Sequence, residues 1–410
     1  MRLFAFEGLR YTPQAGEAGE LAALPYDQIN DTLRDQYHAQ SPYQFVHLTK
    51  PVPPGGSGDV YRHSAGLHER WRSEGIVERD PRPALYPYVI ELANGGRRLG
   101  VTGLIGYEDM SHIRHHEQTL DKPLADRLAL LEATRVDYEP ILLLSEDEGR
   151  LDALVEEDAA QAEPVVRHRD AAGNLHLLYR VEDPARIALY KQAVEGPAAI
   201  ADGHHRYKVG QRFANEHQAA GGSAAAAKLA VITSLSSPGL SIRPTHRGLR
   251  EAVDLSRVAG VQVTVEPLRG SGGEELLAAV TAADQPAIGV WTIGREPEVW
   301  TLDPTTVPDA AAPGEPQLPV EILHKTILPA LGYAPDAATD GTVVYRDNAD
   351  ELFRQIQEGK LATGFWLPPM QPSGFAGSIA GGNVLPPKST RFLPKVMAGL
   401  VWADHEAKLL

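Results

Sequence analysis

Apolar positions along the chain fall into short runs separated by helical stretches. Met1–Gly8 predicts a strand, and Pro25-Tyr-Asp-Gln-Ile29 a turn leading into a helix through Ala39. Ser41-Pro-Tyr-Gln-Phe-Val-His-Leu48 reads as a strand, Pro51–Gly58 as a loop, and Val60–Gly75 as a helix closed by its glycine. Leu85–Leu92 and Arg97–Ile105 flank Asn94-Gly-Gly96 as a hairpin. Leu124, Leu128 and Leu131 share one face of a helix running to Thr134, and Pro140-Ile-Leu-Leu-Leu144 is a buried strand. Leu151–Ala160 predicts a helix, and Val165–His168 with Leu175–Val181 a second hairpin around Ala172-Gly-Asn174. A helix over Pro184–Gln192, a strand over Ala198–Ala201, a helix over Tyr207–His217 and a strand over Leu229–Ser234 follow. In the last third, Ala311–Pro319 and Gly332–Gly341 are Pro/Ala/Gly-rich loops. Ala349–Gly359 reads as a helix, Ala362–Leu367 as a strand and Pro368–Gly382 as a long polar loop. Hairpins mixed with strand–helix units predict an α/β (α+β mixed) fold, a mixed sheet with helices on its faces.

No clean linker divides the chain. The expected parts are 1–110, an N-terminal α/β part; 111–305, a central part; and 306–410, a C-terminal part, or else one interlocked body. The 410 residues are 43% hydrophobic and 23% charged, as in folded proteins. Cysteine is absent, which removes disulfides, Cys-ligated zinc, iron–sulfur clusters and thiol catalysis. The start MRLFAFEGLRYTP lacks the basic and apolar regions of a signal peptide, and no run approaches a membrane span, so the expected location is cytoplasmic with no membrane partner. The net charge of −15 repels nucleic-acid backbones, so nucleic acid is not an expected partner.

Candidate chemistry gathers in five places. In Ala199-Ile-Ala-Asp-Gly-His-His-Arg-Tyr207 a short apolar strand meets Asp202, a cap residue, and Gly203, which permits a tight turn into a helix. The helix start favours an anion, and His204, His205 and Arg206 add donors on that end, with Tyr207 beside them. Ser111-His-Ile-Arg-His-His-Glu-Gln-Thr119 offers His115, His116 and Glu117 as acid/base groups, phosphate donors or metal ligands, with Thr119 a substrate contact; Arg127 follows in a helix that can reach the same cleft. Pro238-Gly-Leu-Ser-Ile-Arg-Pro-Thr-His-Arg247 contributes His246 and Arg247. Pro386-Pro-Lys-Ser-Thr-Arg-Phe392 fails the phosphate-loop pattern, because Pro387 stands where glycine is needed, but keeps Lys388, Ser389 and Thr390 as phosphate contacts. Asp27 in Pro25-Tyr-Asp27 is a helix cap or a catalytic carboxylate. Neither a dinucleotide fingerprint nor a nucleophile elbow is present.

The PYD element, HHEQT followed by DKPLADRLALLEATR, ADGHHRY, PGLSIRPTHR and PPKSTRFLPKVMAGL stand in the order found in the bacterial domain-of-unknown-function 1015 family, and the resemblance runs from Leu24 to Val401. ADGHHR also resembles the D-G-H-H-R motif of the ParB/sulfiredoxin-like superfamily, which includes free serine kinases. That likeness implies a ParB/sulfiredoxin-like strand–turn–helix phosphate site formed by Asp202, Gly203, His204, His205 and Arg206. It also implies a nucleotide (ATP or ADP) with Mg²⁺, and an acidic residue, Glu117 or Asp27, that takes the proton of a substrate hydroxyl. His116 and His205 complete the expected catalytic set. The implied activity is a nucleotide-dependent phosphotransferase acting on a small hydroxylated metabolite such as free serine. A phosphatase of a phosphomonoester such as phosphoserine, or a non-catalytic nucleotide-binding module, would use the same anion site. The chain can be a homo-oligomer, and the motif segments are expected to converge in one cleft.

Overall fold

The central strands owe their place to composition. Ile141–Ser145 and Ala227–Ser234 are buried along their whole length, as fits near-continuous aliphatic sequence covered on both faces. The computed structural model describes residues 1–107, 113–114, 122–258, 263–268, 272–303, 318–334, 341–380 and 385–410. These form two compact units, one from the described residues of 1–240 together with Pro394–Leu410, the other from Ser241–Leu393.

The first unit is built on a nine-stranded mixed sheet. Its order is Ile113–Arg114, Ala198–Asp202, Ile141–Ser145, Ala227–Ser234, Arg97–Gly106, Tyr86–Glu91, Leu175–Leu178, Val166–Arg169, with Leu3–Phe4 also paired to Arg97–Gly106. Both hairpins expected from the sequence are present, with strand ends within three residues of those expected. Ile141–Ser145 runs parallel to Ala227–Ser234 and antiparallel to Ala198–Asp202. Helices Arg150–Gln161 and His204–Glu216 pack against the sheet. Ile141, Leu143, Leu151, Val155, Ile200, Tyr207 and Ile232 lie in its core.

Two expectations give way. Ser41–Leu48, read as a strand, is a turn followed by the short helix Val46–Thr49. Phe45, Val46, Leu48 and Thr49 are all buried, a spacing that suits a helical turn and not alternation. Pro368–Gly382, read as a loop, contains the helix Pro372–Ala380, anchored where Phe375 meets Phe392 edge-on at 5.1 Å.

The second unit carries a six-stranded antiparallel sheet, ordered Val263–Pro267, Glu298–Leu302, Ala287–Thr292, Thr363–Trp366, His246–Leu249, Val343–Arg346. Helices Gly273–Thr281 and Ala349–Gln357 cover it and enclose Leu276, Val280, Leu352, Ile356 and Trp366. Among the described residues no helix is long and apolar enough to cross a membrane.

Candidate functional site

Strand Ala198–Asp202 loses regular register with its neighbour between Ile200 and Asp202. Such a bulge re-aims the side chains beyond it. Gly203 then takes φ +93°, and a Cβ there would lie 2.7 Å from Ile141 Cγ2 and 3.1 Å from Arg206 Cζ. Only glycine fits both the angle and the space. Helix His204–Glu216 starts at once, with no side-chain cap on its first turn.

Asp202, expected as a cap, instead binds two cations. Its Oδ1 accepts from Lys395 Nζ at 3.0 Å and its Oδ2 from Arg206 Nη2 at 2.8 Å. Burial alone would raise the Asp202 carboxyl, but Lys395 and Arg206 outweigh it and hold it down at about 2. Arg206 is buried, and its Nη1 donates to the Pro140 carbonyl. Burial works against its charge, yet Asp202, Asp27 and Glu139 together raise its pKa.

Asp27 is therefore within electrostatic reach of the ADGHHRY turn. It lies in the short 3-10 turn Tyr26–Gln28 and is exposed, while Asn30 caps the next helix through Leu33 N at 2.9 Å. The capping role open to Asp27 in the sequence belongs to Asn30.

Glu139 ties these pieces together. The carboxyl is buried and accepts Tyr26 N–H at 2.9 Å. Its backbone carbonyl accepts from Lys228 Nζ at 3.0 Å, and Lys228 also pairs with Asp137. Arg127 lies 4.3 Å above the Tyr26 ring and donates to the Thr49 carbonyl at 2.8 Å. Burial and then Asp27 push Tyr26 up to about 12, against the pull of Arg127 and Arg206. Arg127, Glu139, Arg206 and Lys228 line one small cleft of about 50 Å³. That is room for a few waters or one small polar group.

Burial, the largest influence on Glu139, raises its pKa above the ordinary Glu value even though Arg206 and Arg127 oppose the shift. The folded chain then holds this proton more tightly than the unfolded chain. The sign follows: stability falls as pH rises from the usual Glu range through the folded value. Glu139→Gln keeps an acceptor for Tyr26 N–H and removes the charge. The variant is expected to equal or exceed the parent in stability at about pH 8 and to show a flatter pH dependence, which urea unfolding at about pH 5 and pH 8 checks.

The other sequence candidates divide by unit. In the first, His204 is buried and His205 half-buried, and Tyr207 is wholly buried with its ring 5.4 Å from that of Tyr107. His115, His116, Glu117 and Thr119 lie outside the described residues. In the second unit PTHR and PPKST come together: the buried Arg247 donates Nε to His324 Nε2 at 3.0 Å and Nη2 to the Pro387 carbonyl at 3.0 Å. Burial and then Arg247 hold His324 down at about 3. His246 Nδ1 accepts from Leu367 N at 3.2 Å, and burial, helped by Arg247, lowers His246 to about 4. Both imidazoles are therefore neutral at physiological pH. Lys388 has φ +58°, and Ser389 Oγ donates to the Pro386 carbonyl at 2.6 Å.

Besides Lys228 of the cleft, three residues absent from the sequence candidates belong to the first unit's site. Lys395 sits in FLPKVM, immediately beyond the PPKST motif. Glu139 stands just before a buried aliphatic strand. Arg98 interrupts an apolar hairpin strand and is 1% exposed. The signal available for Arg98 was a charge where the apolar pattern calls for burial.

Residues 3–264 match the family described as "Protein of unknown function (DUF1015)", and the chain belongs to that family. Among solved structures it is similar to a conserved hypothetical protein from Pyrococcus furiosus, at 12% identity and a TM-score of 0.36 over 76% of this chain and 94% of that one. It is also similar to a free serine kinase in complex with AMP, at 14% identity and a TM-score of 0.39 over 75% and 91%. A third is SbnI with a C-terminal truncation from Staphylococcus aureus, at 12% identity and a TM-score of 0.38 over 72% and 85%. Comparison with curated proteins finds no match.

Proposed function

We propose that the Asp202 turn holds the phosphates of a nucleotide, ATP or ADP, and that the protein transfers a phosphoryl group to a small hydroxylated metabolite such as free serine. One observation carries this reading: Asp202 gathers Lys395 and Arg206 where a helix begins at a glycine packed closely against Ile141 and Arg206. A helix start with clustered cations is an anion site, and phosphoryl transfer depends mainly on positioning and charge stabilisation.

Asp27 is the proposed base. It is exposed on a turn held by Glu139, and it lies within electrostatic reach of Arg206. A substrate hydroxyl between Asp27 and the turn would lose its proton to the Asp27 carboxylate as its oxygen attacks the terminal phosphorus, whose bond to the bridging oxygen breaks and releases the nucleotide one phosphate shorter. Glu117 is the other proposed base, with His116 and His205 as polar partners. Among the described residues no group of three His, Asp or Glu side chains gathers for a metal ion. Mg²⁺ is usually held by one or two carboxylates together with phosphate oxygens, so it does not require a cage of protein ligands. The ion would offset phosphate charge.

The test is transfer of label from γ-labelled ATP to serine, alongside Arg206→Ala. Labelled phosphoserine from the parent and a fall of about a hundredfold or more in the variant are expected. Release of phosphate from phosphoserine without any nucleotide would replace the kinase with a phosphatase, and nucleotide binding without turnover on any hydroxylated acceptor would leave a binding module.

A further inference from the structure

Three cations stand about the Asp202 turn in the first unit. Arg206 and Lys395 both pair with Asp202, and Arg98 is within electrostatic reach of the same carboxylate. Burial lowers Arg98 to about 10, while Tyr88 and Asp202 work to raise it. Glu139 is a buried carboxyl within electrostatic reach of Arg206, and burial raises its pKa against the pull of that cation. A desolvated cation is costly unless it finds acceptors or an anion joins it.

The three cations differ in what they have left to give. Arg206 spends Nη2 on Asp202 and Nη1 on the Pro140 carbonyl. Arg98 spends Nη1 on the Pro394 carbonyl, while its Nη2 is buried with no hydrogen-bond partner among the described residues. Lys395 follows Pro394 directly. Its ammonium has three protons, and its one hydrogen bond among the described residues goes to Asp202. Its side chain keeps 13% of its exposure, against 6% for Arg206.

The segment carrying Lys395 is fixed from several sides. Met397 N donates to Tyr88 Oη at 3.4 Å, and Ala398 exchanges two backbone hydrogen bonds with Ala23, at 2.8 and 3.0 Å, just before the PYD turn. A stretch from the far end of the chain is thereby set next to both the Asp202 turn and the segment that leads to Asp27.

We infer that Lys395, placed by the Arg98 contact to Pro394, is the cation of the Asp202 turn that engages the phosphate of the bound nucleotide. The inference rests on the phosphate reading above. In it, Asp202 holds the ammonium in position, Lys395 contacts the ligand, and Arg98 is a positioning residue acting through the backbone of Pro394.

Calorimetric titration of the full chain with ADP, and with adenosine as a phosphate-free control, tests it. Lys395→Met is expected to weaken ADP binding by at least about tenfold, Lys395→Arg to stay within about threefold, and adenosine binding to change in neither. Arg98→Met is expected to weaken ADP in the same phosphate-confined way, with partial recovery in Arg98→Lys. Unchanged ADP affinity in Lys395→Met, or an equal loss for adenosine, would overturn the inference while leaving the phosphate reading intact. Absence of ADP binding by the parent would sink that reading instead. If Lys395→Met does not fold, acetylation of the parent protein decides: ADP should protect Lys395 from the reagent, and labelling unaffected by ADP would overturn the proposal.

Discussion

Asp202→Asn is expected to lower the stability of the first unit by about 3 to 5 kcal/mol, the cost of leaving buried cations without their carboxylate. Asparagine retains one oxygen, so it can still accept from Lys395 or Arg206. It cannot neutralise either. Lys395 and Arg206 have 13% and 6% of their side-chain surface exposed, so water recovers little of the loss. The pH profile adds a second signature. The Asp202 carboxyl is held at about 2 in the folded chain against an ordinary value of 3.8. A depressed folded pKa means that the stabilisation is fully present above the unfolded value and disappears as pH falls through the folded one. The parent is therefore expected to lose about 2 kcal/mol from this group between roughly pH 4 and pH 2, and Asp202→Asn to lack that part of the acid transition. Urea titrations across that range measure both effects. A variant within about 1 kcal/mol of the parent near neutral pH would mean that Asp202 is not the carboxylate that offsets these two cations.

This carboxylate also marks the limit of what the sequence could convey. The strand–turn–helix at ADGHHRY was legible because each of its signals is local: an apolar run, a glycine, and a basic start to a helix. The two hairpins were legible for the same reason. Lys395 was not, because 193 positions separate it from Asp202, and nothing in FLPKVM distinguishes a lysine that turns inward from a solvated one. Glu139 was missed because a single carboxylate before a buried strand reads as an exposed strand end. In the fold it accepts a backbone proton from Tyr26, 113 positions earlier. Ser41–Leu48 was misread as a strand because a short apolar run has no period long enough to separate strand from helix. Local chemistry was readable from the residues, and the partners that long-range pairing delivers were not.

Gly203→Ala is expected to cost roughly 2 to 5 kcal/mol and to abolish the proposed phosphate site together with it. Two separate penalties combine. An alanine at φ +93° sits in a left-handed conformation that side chains resist, at about 1 to 2 kcal/mol. Its Cβ would also stand 2.7 Å from Ile141 Cγ2, on a strand in the middle of the sheet, at an overpacking cost of about 1 to 3 kcal/mol. Gly222→Ala isolates the first penalty: Gly222 has φ +79° and nothing within 4 Å of the added carbon. The difference between the two variants in urea unfolding reports the steric part alone. If the Ile141 contact is relieved by movement of the turn, the guanidinium of Arg206 moves too, since its Cζ lies 3.1 Å from the same added atom. The Asp202 pair would then open and Lys395 would lose its anchor, so nucleotide-dependent thermal stabilisation should vanish in Gly203→Ala and persist in Gly222→Ala. Equal stability losses with retained nucleotide response in both would show that close packing at Gly203 is not what shapes the site.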